Sequence, residues 1–279
     1  MEKKCRLCGS DKIDLIKRGV RDNAEIDVFK CQKCGLEFLS QTSQADEEFY
    51  THGGMHCAYN TESWFKNTYT DDYRRALFLK NIIRNKNVLD FGTGNGGFLI
   101  QADKFAKNVY GCDLDVSLDE HYKAHNLNVK HSIEDFGQNF DVITMFHVLE
   151  HIELPEKVLE GLKKYLNKNG KLIIEVPNSD DALLTFYKSE AFKNFTYWSC
   201  HLYAYNSKNV KTVLKNSGYK INRIEYVQRY PYTNHKGWLK DKLLGGHKKY
   251  KENKFINYIY TLFLKLIKKT DTLLIIASC

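Results

Sequence analysis

The sequence predicts an α/β fold with a mostly parallel seven-stranded sheet, preceded by a small N-terminal module that contains four cysteines. Three observations lead to this prediction. From residue 73 to residue 279, short apolar runs alternate with helical patterns, which is typical of a parallel sheet covered by helices on both faces. A glycine-rich turn follows the first of these apolar runs. Two C-x-x-C pairs lie within the first 34 residues.

The strands and helices of the main domain follow in order. "TDDYRRALFLKNIIRNK" has the apolar spacing of a helix, "NVLDF" is a short buried strand, and "GGFLIQADKFAK" is a second helix. "EKVLEGLKKYLNKNG" predicts a helix that ends at its glycine. The six further strands are predicted at "NVYGCDLD", "NVKHSIEDF", "FDVITMFHVL", "KLIIEVPN", "YKINRIEYVQRY" and "TDTLLIIASC". We expect a ribbon over residues 1–45, a linker or active-site lid over 46–72, and the main domain over 73–279.

The N-terminal cysteines form two pairs, "CRLCG" and "CQKCG", with 22 residues between them. Each pair can form a tight knuckle whose glycine allows both sulfurs to point the same way. Four thiolates make a closed tetrahedral site, the pattern of structural zinc. The predicted ligands are Cys5, Cys8, Cys31 and Cys34. We therefore expect a zinc ribbon, with "VFKCQKCGLEFL" as its hairpin.

The net charge of +8 is concentrated in one segment, because ten lysines and only two acids lie between Lys236 and Lys269. This basic helical insertion, at about residues 231–269, separates the last two predicted strands. Its apolar residues have helical spacing: Phe255, Ile256, Ile259, Tyr260, Phe263, Leu264 and Ile267. They can pack in the core or in a homodimer, or residues 247–269 can contact an anionic membrane surface. The chain has no signal-peptide pattern and no run of about 18 apolar residues, so we expect a cytoplasmic protein.

The glycine-rich turn "DFGTGNGGFL" allows two interpretations. Gly92, Gly94 and Gly97 have the G-x-G-x-x-G spacing of dinucleotide-binding loops, whereas Gly92, Gly94 and Gly96 have the spacing of loops that bind S-adenosylmethionine (SAM). The glycines alone do not decide between these cofactors.

The motifs that follow the turn favour SAM. Asp90 precedes it, Asp113 ends the second strand, and "HSIEDF" places Glu134 and Asp135 where a carboxylate can accept from an adenine amino group. "FDVITMFHVLEHI" and "LKKYLNKNGKLIIEVPN" closely resemble motifs of class I SAM-dependent methyltransferases, a Rossmann-like family. The resemblance extends from about Tyr73 to Gly218.

This resemblance implies a set of cofactor contacts. Asp90 and the backbone from Gly92 to Gly96 would hold the methionine end of SAM, and Asp113 its ribose. Leu114 and Phe136 would lie at the adenine, with Asp135 favoured over Glu134 for the amino group. His147 would lie beside the cofactor.

The catalytic residues are sought in the loops beyond the strand ends. Transfer to a hydroxyl requires a base, and His201 in "WSCHLYAYN" is the candidate, oriented by Tyr203. Glu175 and Asn178 end the fifth strand and could bind acceptor hydroxyls. In "FYTHGGMHCAY", candidate lid residues are Tyr50, His52 and His56, with mobility from Gly53 and Gly54. His147, Glu150 and His151 have the spacing of a second metal site, or pack at a helix start.

Zinc ribbons ahead of a SAM domain resemble a group of bacterial methyltransferases that act on sugars and cell-surface glycan precursors. We therefore expect a SAM-dependent enzyme that methylates an oxygen of an anionic, sugar-based small molecule. The alternatives are an RNA methyltransferase, a sugar C-methyltransferase and a non-catalytic scaffold. Residues 1–40 carry nine basic and seven acidic residues, so nucleic acid is disfavoured as a partner. The C-methylating relatives carry a further large C-terminal domain, which favours oxygen as the acceptor here.

Overall fold

The computed structural model describes residues 4–43, 47–53, 60–243 and 245–279. Eleven strands are present in this part of the chain: β1 Ile13–Lys17, β2 Val28–Cys31, β3 Glu37–Leu39, β4 Asn87–Phe91, β5 Asn108–Cys112, β6 Val129–Lys130, β7 Phe140–Phe146, β8 Leu166–Pro177, β9 Tyr203–Ala204, β10 Lys220–Val227 and β11 Thr272–Ser278.

The described helices are α1 Glu47–Thr51, α2 Thr61–Ile83, α3 Gly97–Ala102, α4 Asp119–Ala124, α5 Pro155–Leu162, α6 Ala182–Thr185, α7 Glu190–Thr196, α8 Ser207–Asn216, α9 Tyr232–Lys240, α10 Gly246–Lys249 and α11 Lys254–Leu266. Short 3-10 turns lie at Val116–Leu118, Ile133–Phe136, Leu149–His151 and Lys163–Tyr165. In the ranges given above, no helix combines the length and the apolar character that a membrane crossing needs.

The chain forms two compact units. The first contains Met1–Thr42, Glu175–Val213 and Ile224–Ile275, and the second contains Ser43–Ile174, Leu214–Arg223 and Ile276–Cys279. The boundaries at residues 45 and 72 that the sequence suggested remain a prediction.

The large sheet has seven strands in the order β10-β11-β8-β7-β4-β5-β6. Strand β4 is parallel to both β5 and β7, and β5 is parallel to β6. Because parallel strands end at the same edge of a sheet, the segments that follow β4, β5 and β7 meet at that edge. The predicted mostly parallel seven-stranded sheet is confirmed.

The first unit contains a second sheet, of four strands in the order β1-β2-β3-β9. Strands β2 and β3 form the predicted hairpin, in which Val28 pairs with Leu39. Strand β9 extends this sheet from a distant part of the chain, because Phe38 of β3 pairs with Tyr203. The cysteine-rich segment therefore does not fold around its own residues alone.

Three local predictions are wrong. The helix after residue 155 ends at Leu162, and Gly170 lies inside β8 instead of ending the helix. Asn169, in the same strand, has a left-handed φ of 66°. The third strand of the main domain is only Val129–Lys130, and a 3-10 turn carries the acids expected at its end. Helix α2 begins at Thr61, whereas the sequence predicted its start at Thr70.

The core-packing interpretation of α11 is also wrong for most of its apolar residues. Leu264 is fully buried, but Phe255, Ile256, Ile259 and Phe263 are 41–72% exposed. The reason is that polar side chains anchor the opposite side of the helix, as described below.

Candidate functional site

The turn between β4 and α3 requires glycine at several positions. Gly92, Gly94 and Gly96 have φ values of 73°, 53° and 73°, in the left-handed region that other residues adopt at a cost. A Cβ atom on Gly92 would lie 2.4 Å from Cγ2 of Val148, and one on Gly96 would lie 2.3 Å from Cδ1 of Leu127. Backbone conformation and lack of space therefore both select glycine here.

Neighbouring elements of the second unit hold this turn in place. The Gly92 amide donates to the carbonyl of Cys112, 2.7 Å away, at the end of β5. The Gly94 amide donates to Asp113 Oδ2 (2.7 Å), and the Gly94 carbonyl accepts from the Tyr122 hydroxyl (2.7 Å). The turn is thus fixed before any ligand binds, which reduces the ordering cost of binding.

Asp113, the predicted ribose contact, directly follows β5. Its Oδ2 accepts from Gly94, and its Oδ1 accepts from the Asp115 amide at 3.0 Å. Each carboxylate oxygen can accept two hydrogen bonds, so each keeps acceptor capacity for a ligand hydroxyl.

Asp90 is buried at the end of β4, with 2% of its surface exposed. Its two oxygens accept hydrogen bonds from the Thr144 hydroxyl (2.6 Å) and the Thr93 hydroxyl (3.1 Å). Burial raises the pKa of Asp90 to about 7, although these hydrogen bonds act in the opposite direction. The Asp90 carboxyl is therefore poised to exchange a proton near neutral pH, and a cation bound beside it would favour its charged form.

The predicted adenine contacts follow β5 and β6. Leu114 is 39% exposed, as a side chain that stacks on a ligand must be. Glu134 accepts from the hydroxyls of Ser132 and Tyr165, and these hydrogen bonds hold its pKa below the ordinary value. The exposed Asp135 carboxylate has no hydrogen-bond or ion-pair partner within the described ranges, which is consistent with Asp135 as the ligand contact. The Phe136 ring packs against Tyr110, with centroids 5.5 Å apart.

His147 directly follows β7 and has a left-handed φ of 56°, which is uncommon for a non-glycine residue. Its Nδ1 lies 3.2 Å from Oε1 of Glu150, which is itself 1% exposed. The resemblance to methyltransferases implied that His147 lies beside the cofactor. In the structure His147 follows β7, the strand that neighbours β4. A second metal site at His147, Glu150 and His151 stays a prediction.

Several supporting residues were missed by the sequence interpretation. Thr144, a polar residue inside an apolar strand, could have been noticed as a partner for Asp90. Asp115 is 4% exposed, and its Oδ2 has no hydrogen-bond partner among the described residues. The Asn95 side-chain amide donates a hydrogen bond to the Thr68 hydroxyl of α2, and its oxygen accepts one from the Gly97 amide. These contacts come from tertiary packing, and no short motif signals them.

The structure describes only some of the residues that were predicted to form a lid. The Tyr50 hydroxyl lies 3.3 Å from Nδ1 of His151, while the exposed His52, just after α1, contacts the Glu48 carbonyl of that helix. Gly53 has a φ of 70° and lies close to Asp115. His56 and Gly54 fall outside the described residues.

The four N-terminal cysteines converge in the first unit. Each of the four sulfurs of Cys5, Cys8, Cys31 and Cys34 lies within 4.8 Å of the other three. The closest pairs, Cys5–Cys34 and Cys8–Cys31, are both 3.5 Å apart. Zn–S bonds of about 2.3 Å in a tetrahedron place sulfurs about 3.8 Å apart, so this donor set fits a structural zinc ion.

The candidate catalytic residues lie in the first unit. A small open cleft, with a cavity volume of about 30 Å³, is lined by Asn178, Tyr197, His201 and Tyr203 together with residues of β2 and β3. The His201 ring packs on Trp198, with centroids 5.5 Å apart. Tyr203 is 5% exposed and lies beneath Arg6, whose guanidinium carbon is 5.2 Å from the ring centroid.

Two side chains that were predicted to contact the acceptor are buried within the first unit. Glu175 is fully buried in β8. Asn178 donates to the Thr270 carbonyl (2.7 Å) and accepts from the Asp180 amide (3.0 Å). His201 and Tyr203 are therefore the predicted catalytic residues that face the open cleft.

The part of the chain that contains the glycine turn is similar in sequence to known proteins. A family model described as "Methyltransferase domain" matches residues 63–224. The mitochondrial ubiquinone biosynthesis O-methyltransferase of Candida albicans is 37% identical over 109 residues, 33% of this chain and 33% of that protein. The ubiquinone biosynthesis O-methyltransferase of Coxiella burnetii (strain Dugway 5J108-111) is 32% identical over 107 residues, 34% of this chain and 45% of the relative. The chain thus matches less than half of the length of these two relatives.

A solved structure shows the same fold. The crystal structure of a SAM-dependent methyltransferase from Archaeoglobus fulgidus superposes with a TM-score of 0.51 and 18% identity, covering 78% of this chain and 94% of that one. The matched family model spans more than half of the chain and includes the glycine turn, Asp113 and Asp135. This chain therefore belongs to the methyltransferase-domain family, and residues 63–224 form its SAM-dependent methyltransferase domain.

Proposed function

We propose that this protein transfers the methyl group of SAM to an oxygen atom of a small hydroxylated molecule. The observation that carries the proposal is the prearranged turn after β4, where Gly94 and Asp113 are joined by a 2.7 Å hydrogen bond. Oxygen as the acceptor atom is supported by the two O-methyltransferases that match part of the chain.

The residues of the second unit suit the parts of SAM. The backbone from Gly92 to Gly96 and Asp90 would hold the methionine end, and Asp113 would accept from the ribose hydroxyls. Leu114, Asp135 and Phe136 would bind the adenine, with His147 beside the cofactor. SAM carries no phosphate, and within this turn and its flanking residues 90–97 there is no lysine or arginine that would select one. When bound, SAM supplies a methyl group activated by its sulfonium.

The acceptor must lose a proton as the new carbon–oxygen bond forms. In the reaction, the sulfonium carbon–sulfur bond breaks, the methyl group passes to the acceptor oxygen, and S-adenosylhomocysteine leaves. We propose that His201 takes the hydroxyl proton and that Tyr203 positions the ring. Glu175 is fully buried, so its role would be to support the end of β8.

For the acceptor, we propose a sugar or phosphorylated glycan precursor, supported by the resemblance of the ribbon-plus-SAM-domain arrangement to bacterial glycan methyltransferases. The names of the aligned relatives point instead to an acceptor of ubiquinone biosynthesis. The two hypotheses are distinguished by offering both acceptor classes to the same preparation.

We further propose that the four-cysteine cluster holds one structural zinc ion. Four protein ligands leave no open position for a substrate, so this ion would stabilise the ribbon and take no part in methyl transfer. The geometric fit of the sulfurs, described above, supports this assignment.

The test of the function has two stages. Calorimetric titration with S-adenosylhomocysteine should show one site in the micromolar range, and Asp113→Ala should weaken it by about tenfold or more, a loss of roughly 1.5 kcal/mol or more for hydrogen bonds to a charged group. Wild type is then assayed with SAM and sugar nucleotides, phosphorylated sugars and phenols, and S-adenosylhomocysteine release is measured.

Two variants distinguish a defect in cofactor binding from a defect in catalysis. His201→Asn should bind S-adenosylhomocysteine normally but release little product, whereas Asp113→Ala should both bind S-adenosylhomocysteine more weakly and release less product. Absence of binding to folded wild type would contradict the methyltransferase proposal. Normal binding with turnover of phenols alone would contradict only the glycan acceptor.

A further inference from the structure

Helix α11 exposes an unusually apolar surface. Seven side chains on its outward side are 41–81% exposed, and together we call them the outer face of α11: Phe255, Ile256, Tyr258, Ile259, Leu262, Phe263 and Leu266. Folded proteins rarely expose so many large apolar side chains together unless the surface binds something.

The opposite side of the helix is held by specific contacts. Asn257 accepts from the Tyr232 amide at 2.9 Å, the Tyr260 hydroxyl lies 2.7 Å from Nδ1 of His235, and Leu264 is fully buried. These positions recur at intervals of three and four residues, so they form one stripe along the helix. Rotation of α11 to bury its apolar side would break both hydrogen bonds. The outward orientation is therefore built into the fold of the first unit.

The charge around this surface indicates the kind of occupant. Four exposed lysines lie along the helix or just beyond its ends: Lys251, Lys254, Lys265 and Lys268. They belong to the segment that carries ten lysines and two acids. A second copy of the chain placed symmetrically on this face would bring a matching excess of lysines against it, which electrostatic repulsion opposes. A nucleic acid would match the charge but would leave seven apolar side chains without apolar partners.

We propose that the outer face of α11 binds the surface of an anionic lipid bilayer, lying in the plane of the interface without crossing it. The apolar side chains would enter the boundary between headgroups and acyl chains, and the flanking lysines would lie among the headgroup phosphates. This inference is independent of the proposed methyl transfer, because it rests only on residues of the first unit.

The test uses the full chain and sedimentation with vesicles. Wild type should bind vesicles that contain phosphatidylglycerol far better than vesicles of phosphatidylcholine alone, and added salt should weaken the binding. Leu262→Ser combined with Leu266→Ser should weaken it by at least about tenfold, because two leucines lose their apolar contact with lipid. The matched control is Leu77→Ser with Leu154→Ser, two leucines of the second unit that are 42% and 43% exposed.

A charge variant and two further measurements complete the design. Lys265→Glu with Lys268→Glu should reduce binding to anionic vesicles, while circular dichroism and S-adenosylhomocysteine affinity stay unchanged in all variants. The proposal is overturned by absence of binding to anionic vesicles, or by equal losses in the two leucine pairs. It is also overturned if wild type is a dimer in ultracentrifugation that the Leu262–Leu266 variant dissociates, because a second copy would then cover this face.

Discussion

Replacing Gly92 with alanine should destabilise the protein far more than the same replacement at Gly137. Both glycines have a left-handed φ, 73° and 59°. They differ in their surroundings: a Cβ on Gly92 would lie 2.4 and 3.1 Å from the two methyl carbons of Val148, whereas nothing lies within 4 Å of one on Gly137. The pair therefore separates the cost of the backbone conformation from the cost of the steric clash.

The expected magnitudes follow from these two costs. A left-handed non-glycine residue costs about 1–2 kcal/mol, which is the whole effect expected for Gly137→Ala. Overpacking adds about 1–3 kcal/mol, because Val148 is branched at Cβ and moves both methyl groups together. Gly92→Ala should therefore cost about 2–5 kcal/mol. At about 2–4 °C per kcal/mol for a domain of this size, the overpacking cost should place its Tm roughly 2–12 °C below that of Gly137→Ala.

The assay is thermal unfolding without ligand, followed by circular dichroism, and extended to a double-mutant cycle. Val148→Ala removes the two methyl carbons that Gly92→Ala would meet, so it should recover about 1–3 kcal/mol in the Gly92→Ala background. The reasoning is refuted if the two glycine variants have the same Tm. It is also refuted if the coupling between Gly92→Ala and Val148→Ala is below about 0.5 kcal/mol, the usual error of additivity.

Three further predictions concern the acids and the cysteines. Asp90 has a folded pKa raised to about 7 from an ordinary 3.8, so the folded state binds the extra proton, and this group should lower the free energy of unfolding as pH rises from about 4 to 7. Asp181, whose pKa is raised to about 8, acts in the same direction. Asp90→Asn should therefore make the slope shallower in urea titrations without abolishing it, and an unchanged slope would exclude Asp90 as one of its sources. Asp135→Ala should weaken S-adenosylhomocysteine binding in calorimetry by about fivefold or more, a loss of roughly 1 kcal/mol for one hydrogen bond, while Glu134→Ala should not; the reverse ranking would assign the adenine contact to Glu134. Native mass spectrometry should find one zinc ion per chain. Cys5→Ser should lose this ion and have a lower Tm. The structural role would be contradicted if wild type contained no zinc and chelation left its Tm unchanged.

Two predictions that depended on local pattern were confirmed because their physical cause is local. A strand followed by glycines and an amphipathic run specifies the turn after β4, since left-handed backbone angles select glycine directly. The two C-x-x-C pairs predicted the four-sulfur cluster in the same way, because each knuckle is formed by five consecutive residues.

The sequence by itself therefore determined the α/β class, the glycine turn, the cysteine cluster and the helical character of α11. Tertiary structure alone decided the orientation of α11, because the hydrogen bonds of Asn257 and Tyr260 join residues that are 25 positions apart in the chain. It also decided the pairing of β9 with β3 and the surroundings of Asp90, which depend on Thr144, 54 residues away. Such contacts have no periodic signature along the chain, because they depend on which surfaces meet only after the chain has folded.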